Sequence, residues 1–383
     1  MLTEVGIMVG YGLAGNFRND ANGLTILRTD TMSCILMFIF VVVGFGMLLN
    51  VYRFGNWLGS ATAIIVLAGS IQLSPLLQKF WFSVFITGFG SVNMSATTTT
   101  VATFWQYYTN SNIDVSTLLM RTTLLSCISI MVVMTSVVGR VSLNQIIKFT
   151  ALFQIFWTLN YFLLIWFLAV KQDHNTTLLN PYFFDMFGTT YVYLFAVFFG
   201  LPFSCMIRKQ KLPEEHPRNE FNRLSLLLSQ VGTGFIIAMF VFTSCYVVNY
   251  QYYGTTFGEN YSRFSILFGI LGSIAGTYVG SALVGRGRVG YKEGMVGTIT
   301  GGIVMGASAP LHYNIGIVIM IGSVTGFFSG IYMRALHLKI NKNNVKDVLG
   351  MFGPFTIASI FGSLIVLPST VIVLYNRKGV FPW

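Results

Sequence analysis

Long uncharged apolar runs recur along the whole chain and restrict its possible folds more than any other feature. The run at residues 191–201 holds only aromatic, aliphatic and glycine residues, with Asp185 before it and the basic segment 208–211 after it. About 20 apolar residues suffice for a helix to cross the hydrocarbon core of a bilayer. On this criterion we predict ten transmembrane helices, at about residues 31–51, 57–77, 117–139, 146–170, 187–207, 224–249, 264–285, 295–311, 315–333 and 349–375.

The composition supports a membrane protein and excludes several other classes. Of the 383 residues, 54% are hydrophobic and 9% are charged, whereas soluble domains carry about 25% charged residues. We therefore predict an all-α polytopic membrane protein. The net charge is +11, but no basic stretch lies on a soluble module, so nucleic acid is not an expected partner. The four cysteines lie in apolar runs without ligand spacing, and no motif predicts an enzyme, a metal or a cofactor.

The distribution of lysine and arginine predicts which side each loop faces. With ten helices, most basic loop residues fall on one side: Arg53, Arg140, Lys148, Arg208, Lys209, Lys211, Arg218, Arg223, Arg286, Arg288, Lys292, Arg334, Lys339, Lys342 and Lys346. The loops of the opposite side hold only Lys79, Lys171 and Arg263. Because cytoplasmic loops are enriched in Lys and Arg, we predict that the first set faces the cytoplasm, or the matrix of an organelle.

The segment between the second and third predicted helices, residues 80–114, fits the pattern poorly. Its first part, 81–92, is apolar, and a Ser/Thr-rich run follows at 95–100. A single crossing here would put Arg53 on the opposite side from all later basic loops. We therefore predict a re-entrant or interfacial hairpin.

Several short motifs, in the same order and at similar spacing, resemble the ammonium transporter and Rhesus (Rh) glycoprotein family. They include Gly44-Phe45-Gly46, residues 138–145 (VGRVSLNQ), Phe198-Phe199-Gly200-Leu201 and the glycine-rich stretch at 301–306. The resemblance extends from about residue 31 to about residue 363. It implies a bundle of two inverted five-helix halves around a pore, assembled as a trimer. The family also has an eleventh helix, which this chain is expected to lack.

The resemblance divides the chain into five parts. Residues 1–30 form an N-terminal segment, for which an interfacial position is one interpretation. Residues 31–207 and 224–376 are the expected half-repeats, joined by a charged linker at 208–223, and residues 377–383 form a C-terminal tail.

Two histidines that face each other in the pores of the family correspond here to Tyr193 and Phe355. An imidazole pair offers hydrogen bonds and a titratable site, whereas Tyr193 and Phe355 offer ring faces and one hydroxyl. Asp185 lies eight residues before Tyr193 and matches an acid of the family. It is expected either to support the pore or to cap the start of a helix.

Four further positions follow from the same resemblance. Two stacked phenylalanines of the family pore correspond to Leu125 and Phe235, so that one of the two gate rings is replaced. Two acids of the family correspond to Tyr161 and Pro310. At several pore positions, therefore, this chain has a different residue type from the one found in the family.

These replacements suggest that the chain is a non-conducting structural or accessory subunit, similar in character to the Rh blood-group branch of the family. The alternative is a channel for ammonia, ammonium or carbon dioxide. Expected partners are membrane lipids and other membrane subunits, in a homo- or hetero-oligomer that the resemblance makes a trimer. The resemblance favours the plasma membrane, and the composition also suits the mitochondrial inner membrane.

Overall fold

A computed structural model of the chain describes residues 15–17, 24–50, 56–88, 113–115, 117–137, 140–169, 185, 188–206, 223–243, 256–285, 287, 290, 292–309, 314–337, 347, 350 and 352–377. Within these residues the chain is almost entirely helical, and each predicted transmembrane run overlaps one helix. The predicted all-α membrane fold is thereby confirmed. Pro310, the linker at 208–222 and the tail at 378–383 lie outside the described residues.

The described residues form ten α-helices. The first half contains α1 (Leu24–Leu48), α2 (Asn56–Gly88), α3 (Thr117–Val137), α4 (Leu143–Ala169) and α5 (Phe195–Met206). The second half contains α6 (Arg223–Thr243), α7 (Thr256–Val284), α8 (Lys292–Ser308), α9 (Ile315–Ile331) and α10 (Phe352–Arg377). A π-helical turn at Thr189–Leu194 precedes α5, and another at Tyr332–Leu336 extends α9. By length and composition, seven of the described helices can cross a membrane, so the protein is an integral membrane protein.

Two local features differ from the sequence-based expectation. Residues 81–88 continue α2 as a helix of 33 residues, about 50 Å long, rather than beginning a hairpin; residues 89–112 lie outside the described part of the chain. Strands β1 (Gly15–Phe17) and β2 (Ile113–Val115) pair in parallel, with Gly15 opposite Ile113. This pairing links the N-terminal segment to the residues just before α3.

The core lies around α3 in the first half and around α8 in the second. Residues 121–137 of α3 are all buried, as are most residues of α8. Each is the third helix of its half, and each packs against the last helix of that half, α5 or α10. The first helices of the halves, α1 and α6, also pack together, with Gly232 against the backbone of Gly44 and Leu48. These contacts fit the arrangement of two half-repeats that the resemblance implies.

In the second half, α7 and α9 approach each other to backbone contact. A Cβ added to Gly276 would overlap the backbone carbonyl of Ser323, and one added to Gly326 would overlap that of Ser273. The hydroxyl of Ser323 also donates to the carbonyl of Gly272 at 3.1 Å. Glycines allow such close approach between membrane helices. We call this contact the glycine interface.

In the first half, polar side chains hold α2, α3 and α4 together. The amide nitrogen of Gln154 on α4 donates to Ser70 on α2 at 2.8 Å and to Ser126 on α3 at 3.0 Å. The hydroxyl of Thr122 on α3 donates to the amide oxygen of Gln78 on α2 at 2.8 Å. All of these side chains are buried. We call this set the glutamine network.

Candidate pore site

The helix that carries Tyr193 begins at a buried aspartate cap. Asp185 accepts hydrogen bonds from the backbone amides of Thr189 at 2.6 Å and Thr190 at 2.7 Å. Gly188 lies between them with φ of 73°, a backbone conformation that favours glycine. The carboxylate thus satisfies two amides at a helix start that have no partner within the helix. The geometry is that of a helix cap, and the pore-supporting role of Asp185 stays a prediction.

The helix that carries Phe355 begins in nearly the same way. Asp347 accepts hydrogen bonds from the amides of Gly350 at 3.1 Å and Phe352 at 2.7 Å, and Gly350 has φ of 72°. In both halves an aspartate is followed by glycine three residues later and by the pore position eight residues later. This repeated spacing is a signal in the sequence that predicts the two caps together.

Burial affects both cap carboxyls in the same direction. It raises the pKa of Asp185 to about 6, against the opposing effect of hydrogen bonds from Thr190, Thr189 and Tyr191. Burial also raises the pKa of Asp347 to about 6, although the nearby charge of His337 and the amides of Phe352 and Gly350 oppose it. Desolvation disfavours the charged carboxylate, whereas bonded amides favour it.

The structure brings the two pore positions together at the boundary between the halves. The rings of Tyr193 and Phe355 stack with centroids 6.1 Å apart and planes 10° apart. Phe240 of α6 lies beside Tyr193, with centroids 6.3 Å apart. All three side chains are almost fully buried, with Tyr193 at 0%, Phe240 at 1% and Phe355 at 1% exposure. We call these rings the aromatic stack.

Phe240 was not identified from the sequence. It lies 47 residues after Tyr193 in an apolar run with other aromatic residues, so no local pattern distinguishes it. Its ring also fills the space beside Gly302 of α8, where an added Cβ would overlap it. A phenylalanine in an apolar helix reveals its partners only through the tertiary fold.

The two gate positions lie on different helices, one in each half. Leu125 of α3 is 3% exposed and belongs to the main core. Phe235 of α6 is half-buried, and its ring lies 6.1 Å from that of Phe40 on α1. Packing against α1 is thus a described role of Phe235, and gating stays a prediction.

Tyr161 belongs to an aromatic group near the outer end of α4, on the side that the charge distribution predicts to be extracellular. Its ring stacks on Trp157 at 5.5 Å with planes 6° apart, and meets Tyr191 edge-on at 5.4 Å. The buried Arg121 of α3 lies close enough for its charge to act on both tyrosines. Where the resemblance implies an acid, the structure therefore places a phenol near a guanidinium.

Comparison with family models and with the curated proteins finds no match, whereas solved structures match over most of the chain. A structure of Nitrosomonas europaea Rh50, described as one of the Rhesus protein family of channels, is 18% identical and has a TM-score of 0.68. The alignment covers 92% of this chain and 86% of Rh50. Saccharomyces cerevisiae Mep2 is 15% identical with a TM-score of 0.61, and the alignment covers 90% of this chain and 73% of Mep2.

A third structure, a sensor Amt protein, is 14% identical with a TM-score of 0.55, and the alignment covers 88% of this chain and 82% of that protein. At these identities the comparison concerns the fold. All three likenesses agree with the family to which the sequence motifs point. The chain therefore has the fold of the ammonium transporter and Rhesus family.

Proposed function

We propose that this chain is a non-conducting structural or accessory subunit of a larger membrane assembly, built on the fold of a channel. The aromatic stack is the observation that carries this proposal. Tyr193, Phe240 and Phe355 are packed closely and almost fully buried. Two of them, Tyr193 and Phe355, correspond to the positions where the resemblance implies a histidine pair.

The chemistry of the stack is unsuited to ammonium. An ion that leaves water loses its hydrogen bonds, and that loss is costly unless acceptors replace them. A histidine pair supplies acceptors and titrates near neutral pH. Two phenyl rings and one phenol supply ring faces and a single hydroxyl, and they cannot relay a proton as paired imidazoles can.

The outer aromatic group supports the same conclusion. Arg121 is 7% exposed and lies near Tyr161 and Tyr191. A fixed positive charge disfavours the approach of a cation. A guanidinium near the position where the resemblance implies an acid would therefore oppose ammonium.

The stack also has a structural use. Its rings come from the turn before α5, from α6 and from α10, so they join the two halves of the bundle. Ring pairs at these separations stabilise a core beyond the burial of their area. Exchanging polar pore groups for packed rings suits a subunit whose role is assembly rather than conduction.

Passage of a neutral gas is the second candidate function. Ammonia and carbon dioxide carry no charge, and the stack opposes them by packing rather than by an electrostatic barrier. The retained ring of Phe235 also favours this alternative. The two functions differ in one measurable quantity, the flux of each gas through the protein.

A flux experiment on the pore positions tests the proposal. Vesicles would hold the parent chain or Tyr193→His/Phe355→His at equal protein density, with internal pH followed after an ammonia or a carbon dioxide gradient. We expect flux through the parent to equal that of protein-free vesicles for both gases. Flux of either gas above that level would instead support the channel.

The accessory role is tested by the state of the chain in its own membrane. Gentle extraction followed by native mass spectrometry should yield an assembly that contains this chain with other membrane subunits, from the plasma membrane or from the mitochondrial inner membrane. A species built only of this chain would contradict an accessory role in a larger complex and leave a homo-oligomer.

A further inference from the structure

An apolar groove lies between α4 and α5, on the side of α5 away from the aromatic stack. Its volume is about 500 Å³, within the size range of small-molecule sites. Phe149 and Leu152 of α4 form one wall, and Phe198, Phe199 and Phe203 of α5 form the other. This surface is independent of the pore and of whether the pore conducts.

The two walls of the groove contact each other along one edge, and the rim is open. Phe149 and Phe203 stack with centroids 3.9 Å apart and planes 26° apart. By contrast, Phe198 is 62% exposed, Leu152 is 51% exposed and Met206 is 81% exposed. The opposite side of α5 is buried in the bundle. The groove therefore opens on the outer surface of the bundle.

The chemistry changes from apolar to cationic along the groove. Lys148 and Gln145 line one end, and both side chains are exposed. This end lies near the start of α4 and the end of α5, on the side where the basic loops concentrate. The charge distribution predicts that this end faces the inner-leaflet head groups, where lysines attract anionic lipids.

We propose that this groove binds one acyl chain of an anionic phospholipid from the inner leaflet, with its phosphate held by Lys148 and Gln145. The seven remaining lining residues are apolar and suit a hydrocarbon chain. The Lys148 ammonium lies at the end where the head group sits, and its charge complements the phosphate.

The experiment compares two lipids with matched acyl chains. The full chain, delipidated in detergent, is titrated with phosphatidylglycerol or phosphatidylcholine, and bound lipid is counted by native mass spectrometry. We expect phosphatidylglycerol to bind about fivefold more tightly, the contribution of one lysine near a charged lipid. Lys148→Gln should abolish this preference, and Lys148→Arg should keep it.

A groove-filling variant distinguishes the site from the rest of the lipid-facing surface. Leu152→Trp should reduce binding of both lipids, whereas Leu271→Trp, at a residue of α7 that is 54% exposed, should not. Equal binding of the two lipids by the parent would overturn the proposal, as would an unchanged preference in Lys148→Gln. A lipid-free dimer that Leu152→Trp dissociates would show that a second copy covers the groove instead.

Discussion

Two helix contacts of this bundle, one in each half, rest on different chemistry. In the second half, glycines of α7 and α9 let the two backbones meet, and the glycine interface is a contact of backbone against backbone at these glycines. In the first half, Gln154 and Gln78 bridge three helices through buried hydroxyls. Transmembrane helices can associate by either route, because both replace interactions that lipid cannot supply.

Because the two contacts differ, substitutions in them should reduce stability to different extents. Backbone contact leaves no space, so any added atom produces an overlap that must displace a helix. A hydrogen-bonded network can lose one member and adjust. The second half should therefore tolerate substitution at its interface less well than the first.

The largest expected effect is at the glycine interface. Gly276→Ala adds a Cβ that overlaps the carbonyl of Ser323, and overpacking of this kind costs about 1–3 kcal/mol. The matched control is Gly234→Ala on α6, where no atom lies within 4 Å of an added Cβ. We expect a clear fall in the apparent unfolding temperature in detergent for Gly276→Ala only. Equal effects of the two variants would show that α7 and α9 do not meet as described.

A smaller loss is expected in the glutamine network. Gln154→Leu removes the hydrogen bonds to Ser70 and Ser126 while keeping a similar volume, at a cost of about 1 kcal/mol. Asn144→Leu, at an exposed residue of the same helix, serves as the control. Thermal unfolding of both variants in the same detergent gives the comparison. If Gln154→Leu costs more than Gly276→Ala, the contrast between the halves is wrong.

The two aspartate caps should contribute similar pH dependences of stability, because both halves contain the same cap. The expected difference between the halves is therefore smallest here. Burial raises the pKa of both Asp185 and Asp347 to about 6, above the value of about 3.9 in an unfolded chain. The folded state therefore binds protons more tightly, and this contribution to stability is present below about pH 4 and is lost as the pH rises through about 6.

Asparagine variants isolate that contribution. The apparent unfolding temperature of the parent should exceed that of Asp185→Asn by an amount that increases as the pH is lowered from about 7 to about 5. Asp347→Asn should show a similar increase. Subtracting the variant removes the titration of the groups that do not interact with the replaced carboxyl. A pH dependence in only one variant would break the equivalence of the two caps.

The sequence predicts the helices well because a transmembrane helix requires a continuous apolar run. Each of the ten runs overlaps a helix, and the motif resemblance correctly indicates the fold. The spacing of Asp185 and Asp347 to the pore positions is equally visible, since a cap and its helix are local. Prediction is less successful for contacts between residues that are far apart in the sequence. The ring of Phe240 and the overlap between Gly276 and Ser323 depend on how helices cross.

The sequence also predicts poorly where helices end and how the segments between them are connected. The apolar residues 81–88 could begin a new element or continue an old one, and the structure continues α2 to Gly88. The pairing of Gly15 with Ile113 joins segments almost 100 residues apart, and three-residue strands have no periodic signal. Arg121 was overlooked for a different reason. It lies inside an apolar run, where a single charge does not change the assignment of the helix.

The aromatic stack is proposed to close the bundle to ammonium, and the ammonium permeability of the parent chain tests this proposal. Purified protein in vesicles would receive a sudden ammonium gradient, with internal pH recorded against protein-free vesicles of the same lipid and size. We predict that the two permeabilities are equal. A parent permeability clearly above the protein-free value would contradict the claim.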